Sequence, residues 1–458
     1  MSAEIIPART PAEVFLASAF ERSKATLPGN AKVAKWREDT FRRFYAAGLP
    51  HRRIEAWHYT DLRSLMREAL PVATPPDETA IAALRETFAA DAPALRLVLV
   101  DGFFAGGLST PMPDGIRVAS LASVLSEGRL ELIALLASQD LGGEDPIVAL
   151  NAALMQDGII IEVADGTQVA EPIHLIHVTA SPTAAAHFSR SAVIVGAGAA
   201  IRLAESCHSA SPVAKACASQ VNACLTVSVG DNARLAHTAM VTGHSPHGVR
   251  LETMLARVGQ RAKFDSFALV SGIGLVRRQT FLRFEGAGAE ASFGGASLLG
   301  GREHADTTLL VEHMAPACRS RETYKYILDE EATGIFQGKI HVAPKAQKTD
   351  GKMLSRAVLL SDMAAMNNKP ELEIFADDVV CGHGATCGGL DADQLFYLQT
   401  RGLPLPEAEA LLLEAFAGEL IDGIGDDGLI HEFRGQLRIW LAARRHAAKA
   451  ANDQMERA

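Results

Sequence analysis

Residues 370–389 hold the densest set of chemically capable side chains in the sequence. Cys381, His383 and Cys387 share one parity. On an extended backbone all three project from the same face, successive same-face residues lying about 6.6–6.8 Å apart. Gly382 and Gly384 flank His383, which leaves the ring accessible and lets another backbone approach. Thiolate with imidazole suits iron, zinc or iron–sulfur chemistry. Two or three donors fall short of the four that a closed cluster site uses. The shortfall points to a half-site completed by a second chain. The plainer alternative is a turn with a satisfied histidine and a buried cysteine.

Other chemistry is thin. No Gly-x-x-x-x-Gly-Lys-[Ser/Thr] occurs, so no nucleotide is expected on this chain. Gly196-Ala-Gly198 and Gly286-Ala-Gly288 resemble dinucleotide fingerprints. Ile201 stands where the first needs Gly or Ala, and Gly294-Gly295 oppose the helix that the second needs. Both read as turns. No His-Glu-x-x-His, paired Cys-x-x-Cys or Gly-x-Ser-x-Gly is present. The pairs His174/His177 and His244/His247 put their members on opposite faces of a strand and read as turn or surface histidines. Cys207-His208, Cys217 and Cys224 read as small buried residues or bystanders.

The elements that must position the trio follow from pattern. Leu372 and Ile374 alternate with acids, as in a half-buried strand. From about residue 155 short β-rich runs alternate with turns: 158–163, 192–195, 225–229. A Gly-x-x-Ala turn recurs at Gly196, Gly230, Gly259 and Gly286, spaced 34, 29 and 27 residues apart. Such a period without intervening helices predicts stacked coils of a parallel β-helix.

Helical regions flank this core. Val33, Trp36, Phe41, Phe44 and Tyr45 lie near a helical period, with Lys32, Lys35, Arg37, Arg42 and Arg43 as a solvated basic face. A strand over 95–100 ends at Asp101-Gly102, and 121–138 reads as helix. After Asp391, Leu412, Leu413, Phe416 and Leu420 form one helical stripe, while Ile430, Phe433, Leu437, Trp440 and Leu441 form another. Two helices this short must pack on the β layer or on another chain. The resulting division is 1–150 mostly helical with a short α/β part, 151–390 β-helix core, and 391–458 helical.

Composition bounds the function. The 458 residues are 48% hydrophobic and 21% charged, which excludes a disordered chain. A net charge of −10 disfavours nucleic-acid binding. No apolar run reaches the ~18 residues of a membrane span, and Glu4, Glu13 and Glu21 interrupt any signal-like segment. A cytoplasmic protein with six reduced cysteines is expected.

Several segments resemble a known family. They are 355–361 (Ser355-Arg-Ala-Val-Leu-Leu-Ser361), Asn368-Lys-Pro-Glu-Leu-Glu-Ile374, Ala376-Asp-Asp-Val379, His383-Gly-Ala-Thr386, Leu390-Asp-x-Asp-Gln-Leu-Phe-Tyr397 and Arg401-Gly402. The series resembles the SufB/SufD family of iron–sulfur cluster assembly proteins. Glu55-Ala-Trp-His-Tyr-Thr60 and the Gly in His383-Gly-Ala-Thr386 resemble its SufD branch.

The resemblance implies a right-handed parallel β-helix between helical ends, and a non-catalytic scaffold role. It implies SufB as partner through the β-helix core, and the ATPase SufC docking on the C-terminal helices, here the stripe Leu412, Leu413, Phe416 and Leu420. It places the family's interface cysteine and histidine on Cys381 and His383, handling transient iron or an iron–sulfur cluster shared with SufB. Gly382 replaces a common Ser, and Cys387 is an additional candidate ligand. A homodimer is the expectation for the chain alone. The rival reading is a β-helix enzyme acting on carbohydrate or transferring acyl groups. Neither the aliphatic-Gly hexad rhythm expected of an acyltransferase nor the export signal expected of a polysaccharide lyase is evident.

Overall fold

The computed structural model describes residues 9–87, 94–242, 245 and 247–455, apart from the side chains of 87 and 447–455. Among the described residues, short strands alternate between a ten-stranded and a nine-stranded sheet. Except for one antiparallel pair in each sheet, neighbours within each sheet run parallel, one coil apart: Glu290 lies opposite Arg319 and His304 opposite Thr333. The result is a parallel β-solenoid of about eight turns between N- and C-terminal helices.

The recurrent turns explain the stacking. Ala199, Ala233, Ala262 and Ala289 are buried at the corners of successive coils. The glycines before them bring backbone against backbone. A Cβ at Gly286 would lie 2.1 Å from the Gln260 nitrogen of the coil below. Alternate residues of each strand then face a lumen filled by aliphatic and aromatic side chains, among them Phe264, Phe293, Phe284 and Phe336.

The two ends of the solenoid differ. At the first, the sheets finish in antiparallel pairings: Phe103–Phe104 folds back on Arg96–Val100, and Ile116–Ser120 pairs with Ile159–Val163. Three of these four strands precede residue 150, so the first region contributes strands to both sheets. At the second end, Ala365–Ile374 and Val380–Gly388 are the outermost strands of their sheets. Each pairs on one side only among the described residues.

Helices cover the outer faces. The predicted helix over 121–138 is two helices, Leu121–Glu127 and Leu130–Ala137, divided at Gly128 with φ 72°. The predicted basic face is not wholly solvated. Arg37 is buried and donates to the carbonyls of Pro28, Ala153 and Met155. Its desolvation pulls the guanidinium down to about 10. The C-terminal helices Leu405–Ile421 and Asp427–Met455 lie on the outer face of the ten-stranded sheet. Leu413, Ile421, Phe433 and Leu437 pack there against Phe267, Leu298, Ile327 and Val358. No helix among the described residues is long and apolar enough to cross a membrane.

Candidate functional site at the open end of the solenoid

Cys381 and His383 stand on Val380–Gly388, the last strand of the ten-stranded sheet. Register fixes their direction. Cys381 pairs with Gly351 and His383 with Met353, a lumen residue. Both therefore belong to the lumen-facing set, and no further coil covers them among the described residues. Cys381 is half-buried against the core and His383 is exposed. Burial pushes the Cys381 thiol up. The backbone N–H of Gly351 opposes that shift, and the nearby Asp350 and Glu322 carboxyls add to it.

Cys387 shares the parity but not the place. Six residues along an extended strand separate it from Cys381 by about 20 Å. It pairs with Ala357, is exposed, and its thiol is also raised by partial burial. Strand geometry thus brings Cys381 and His383 together and sets Cys387 at the other end of the edge. No three His, Cys, Asp or Glu side chains converge on a metal-sized point among the described residues.

The surroundings of the pair are those of an unfinished core. Met366, Leu372 and Val379 lean against the lumen but remain partly open, and Phe375 and Val380 are exposed. Two adjacent edge strands with free N–H and C=O groups are templates for pairing. Lys369, Pro370 and Glu371 punctuate the Ala365–Ile374 edge, and such residues limit indiscriminate pairing.

The leucine stripe occupies a different position. Leu413 is fully buried under the chain's own helices, and Phe416 and Leu420 are packed part-way into the same cluster. Lys325 Nζ donates to the Phe416 carbonyl at 2.7 Å and lies 4.8 Å from its ring centre. Leu412 is half-exposed. Exposed apolar groups on these helices include Leu411 and Ile439, and Phe396 and Tyr397 on the preceding helix Ala392–Thr400.

Sequence reasoning missed a polar cluster inside the earlier coils. His177 is not a surface or turn residue. It faces Glu205 at 3.1 Å, and His237 meets the other oxygen of Glu205 at 3.2 Å. Arg250 and Arg278 both donate to Glu252, at 2.5 and 2.6 Å. These six line a cavity of about 50 Å³. Burial would raise both carboxyls, but their partners prevail. Glu205 is held well below its ordinary value by the two histidines, and Glu252 is held at about 2 by the two arginines. The i, i+3 signal placed His174 and His177 on opposite faces correctly, but not which face was internal. His244 lies outside the described residues. Cys207 and Cys224 are buried, as expected, while Cys217 is half-exposed.

Comparison with known proteins bears on this architecture. Residues 177–416 match the family model for the SUF system FeS cluster assembly, SufBD core domain, and residues 16–175 match the SufBD protein N-terminal region. The chain is 31% identical over 405 residues to the iron-sulfur cluster assembly SufBD family protein slr0076 of Synechocystis, covering 86% of this chain and 87% of the relative. It is 29% identical over 391 residues to iron-sulfur cluster assembly protein SufD of Escherichia coli, covering 83% and 87%. It is 26% identical over 422 residues to the chloroplastic protein ABCI7 of Arabidopsis thaliana, covering 89% and 86%. With matched models spanning the helical front and the solenoid, the chain belongs to the SufBD family of iron–sulfur cluster assembly proteins.

Proposed function

We propose that this chain is a non-catalytic scaffold subunit of an iron–sulfur cluster assembly complex. Its open solenoid end meets the matching end of a SufB-type partner, and Cys381 and His383 contribute to the seam where iron enters or a cluster first forms. One observation carries the reading: a thiol and an imidazole face the lumen on the last strand of a solenoid that nothing closes among the described residues. A partner's core would supply both the missing coil and the missing ligands. Iron or the cluster is then shared cargo, and no nucleotide is held by this chain.

ATP hydrolysis belongs to a SufC-type partner docking on the C-terminal helices. Part of the stripe Leu412, Leu413, Phe416 and Leu420 packs on the chain's own sheet. Movement of those helices therefore acts directly on the strands beneath them, and strain passed along the ten-stranded sheet reaches Val380–Gly388. The test is His383→Ala in the reconstituted complex, with iron and labile sulfide measured after assembly. The expected result is a clear loss of cluster yield. Unchanged yield discards the role of His383.

A further inference from the structure

The lumen two coils below His383 contains an acid without an ion-pair partner. Glu322 pairs in register with the lumen residues Phe293 and Met353, and its side chain is 1% exposed. Its Oε2 has no hydrogen-bond partner. The other two lumen acids offer an internal contrast. Glu205 holds two histidines and Glu252 two arginines. Glu322 has the hydroxyl of Ser320 and its own backbone N–H, and Arg321, whose charge favours the carboxylate, lies on the opposite face of the strand and is committed to Asp350. Desolvation pushes the Glu322 carboxyl up to about 8 despite these groups. A buried carboxyl in that position either stays protonated or takes a cation.

Three further unpartnered atoms occupy lumen-facing positions of the same coils. They are Ser355 Oγ, Asn368 Oδ1 and His313 Nδ1. Ser355 pairs with Tyr324, Asn368 with Phe336, and His313 with Phe284 and Val342, all lining the core. Orphaned buried polar atoms are uncommon and call for water or an ion. Cys381, Gly351 and Ser320 form one inward column, and Gly351 has no side chain to separate the outer two. A Cβ built there would lie 3.5 Å from Ser320 Oγ and 3.4 Å from Ile340, filling the gap without a clash.

We infer that Glu322, with nearby lumen hydroxyl and amide oxygens and water, forms an inner seat for one hard divalent cation, reached from the Cys381–His383 mouth over Gly351. Carboxylate, hydroxyl and amide oxygens with retained water favour ferrous or manganous ions in a weak, exchangeable site. The seat deepens the functional reading given above and rests on it for its role in holding iron. Its chemistry is separately measurable.

The experiment titrates the full-length chain, without partners, with Mn²⁺ alone and follows the loss of the free-ion paramagnetic signal. The wild type is expected to take up one Mn²⁺. Glu322→Gln should weaken that uptake at least tenfold, Glu322→Asp should retain part of it, and Gly351→Ala should weaken or slow it. The double variant Cys381→Ser/His383→Ala should still bind. Wild-type affinity in Glu322→Gln overturns the proposal. So does loss of the site in the double variant, because the ion would then sit at the mouth. A wild type that binds no Mn²⁺ overturns it as well. If Glu322→Gln does not fold, Glu322→Asp and Gly351→Ala decide: binding unaffected in both overturns the seat. Failure of His383→Ala to alter cluster yield leaves these outcomes untouched, so the two readings fail separately.

Discussion

The guanidinium carbon of Arg277 lies 3.8 Å from the centre of the Trp57 ring. The same arginine donates to the Ala56 carbonyl at 2.8 Å and pairs with Asp306, which also accepts from Thr60. Glu55 reaches Lys369 at 2.6 Å. Gln337 Nε2 donates to the same Ala56 carbonyl, so one short N-terminal segment straps four strands of the nine-stranded sheet, out to its open edge. Trp57→Ala removes a buried ring and uncovers a buried ion pair. It should cost about 3–5 kcal/mol, read as a lowered urea midpoint.

Gly286→Ala should destabilise by about 1–3 kcal/mol, because the new Cβ would press on the Gln260 backbone of the neighbouring coil. The control is Gly166→Ala, which meets nothing within 4 Å but carries φ 71°. Its cost is that of the left-handed backbone alone, about 1–2 kcal/mol. Urea unfolding of both variants separates coil contact from backbone strain.

Acid should loosen the middle of the solenoid. The folded-state carboxyl of Glu205 lies well below its ordinary value, because the His177 and His237 hydrogen bonds outweigh burial. Its contribution is therefore present above the unfolded carboxylate value of about 4.3 and is lost as pH falls below it toward the folded value. Glu252, held at about 2 by Arg250 and Arg278 against burial, follows the same sign. Urea midpoints between pH 6 and pH 3 should fall less steeply in Glu205→Gln than in the wild type.

Val380 is 61% exposed on the open edge. Val380→Lys should leave the fold intact and reduce self-association of the chain, since a lysine on an edge opposes strand addition. Sedimentation velocity at increasing concentration checks this: equal dimer fractions in both proteins would exclude the edge as the contact.

Leu413 and Leu412 separate core from docking surface. Leu413→Ala should cost about 2–5 kcal/mol, because the side chain is fully buried against the chain's own sheet. Leu412→Asp, half-exposed, should leave the urea midpoint near that of the wild type and weaken capture of the proposed ATPase partner about tenfold. Capture unchanged in Leu412→Asp would move the docking surface elsewhere.

The sequence was legible where periodicity is local. Parity alone placed Cys381 and His383 on one face, and the Gly-x-x-Ala recurrence marked the coil corners. Parity could not separate Cys387 from the pair, because one face of a strand extends further than a coordination sphere does. The Glu205 network was illegible because its partners are 28 and 32 residues away, one coil in each direction. Only the register of stacked strands turns that separation into contact. Arg37 read as solvated because its carbonyl partners at Ala153 and Met155 lie more than a hundred residues downstream.

The unequal ends of the solenoid also limit stoichiometry. Antiparallel strands of two and five residues terminate one end, whereas parallel strands of ten and nine residues terminate the other, so the longer edges are the better templates for hydrogen-bonded extension. Two chains joined there consume both long edges at once. Head-to-tail growth would have to use the short antiparallel end, so the geometry favours a closed pair over a filament.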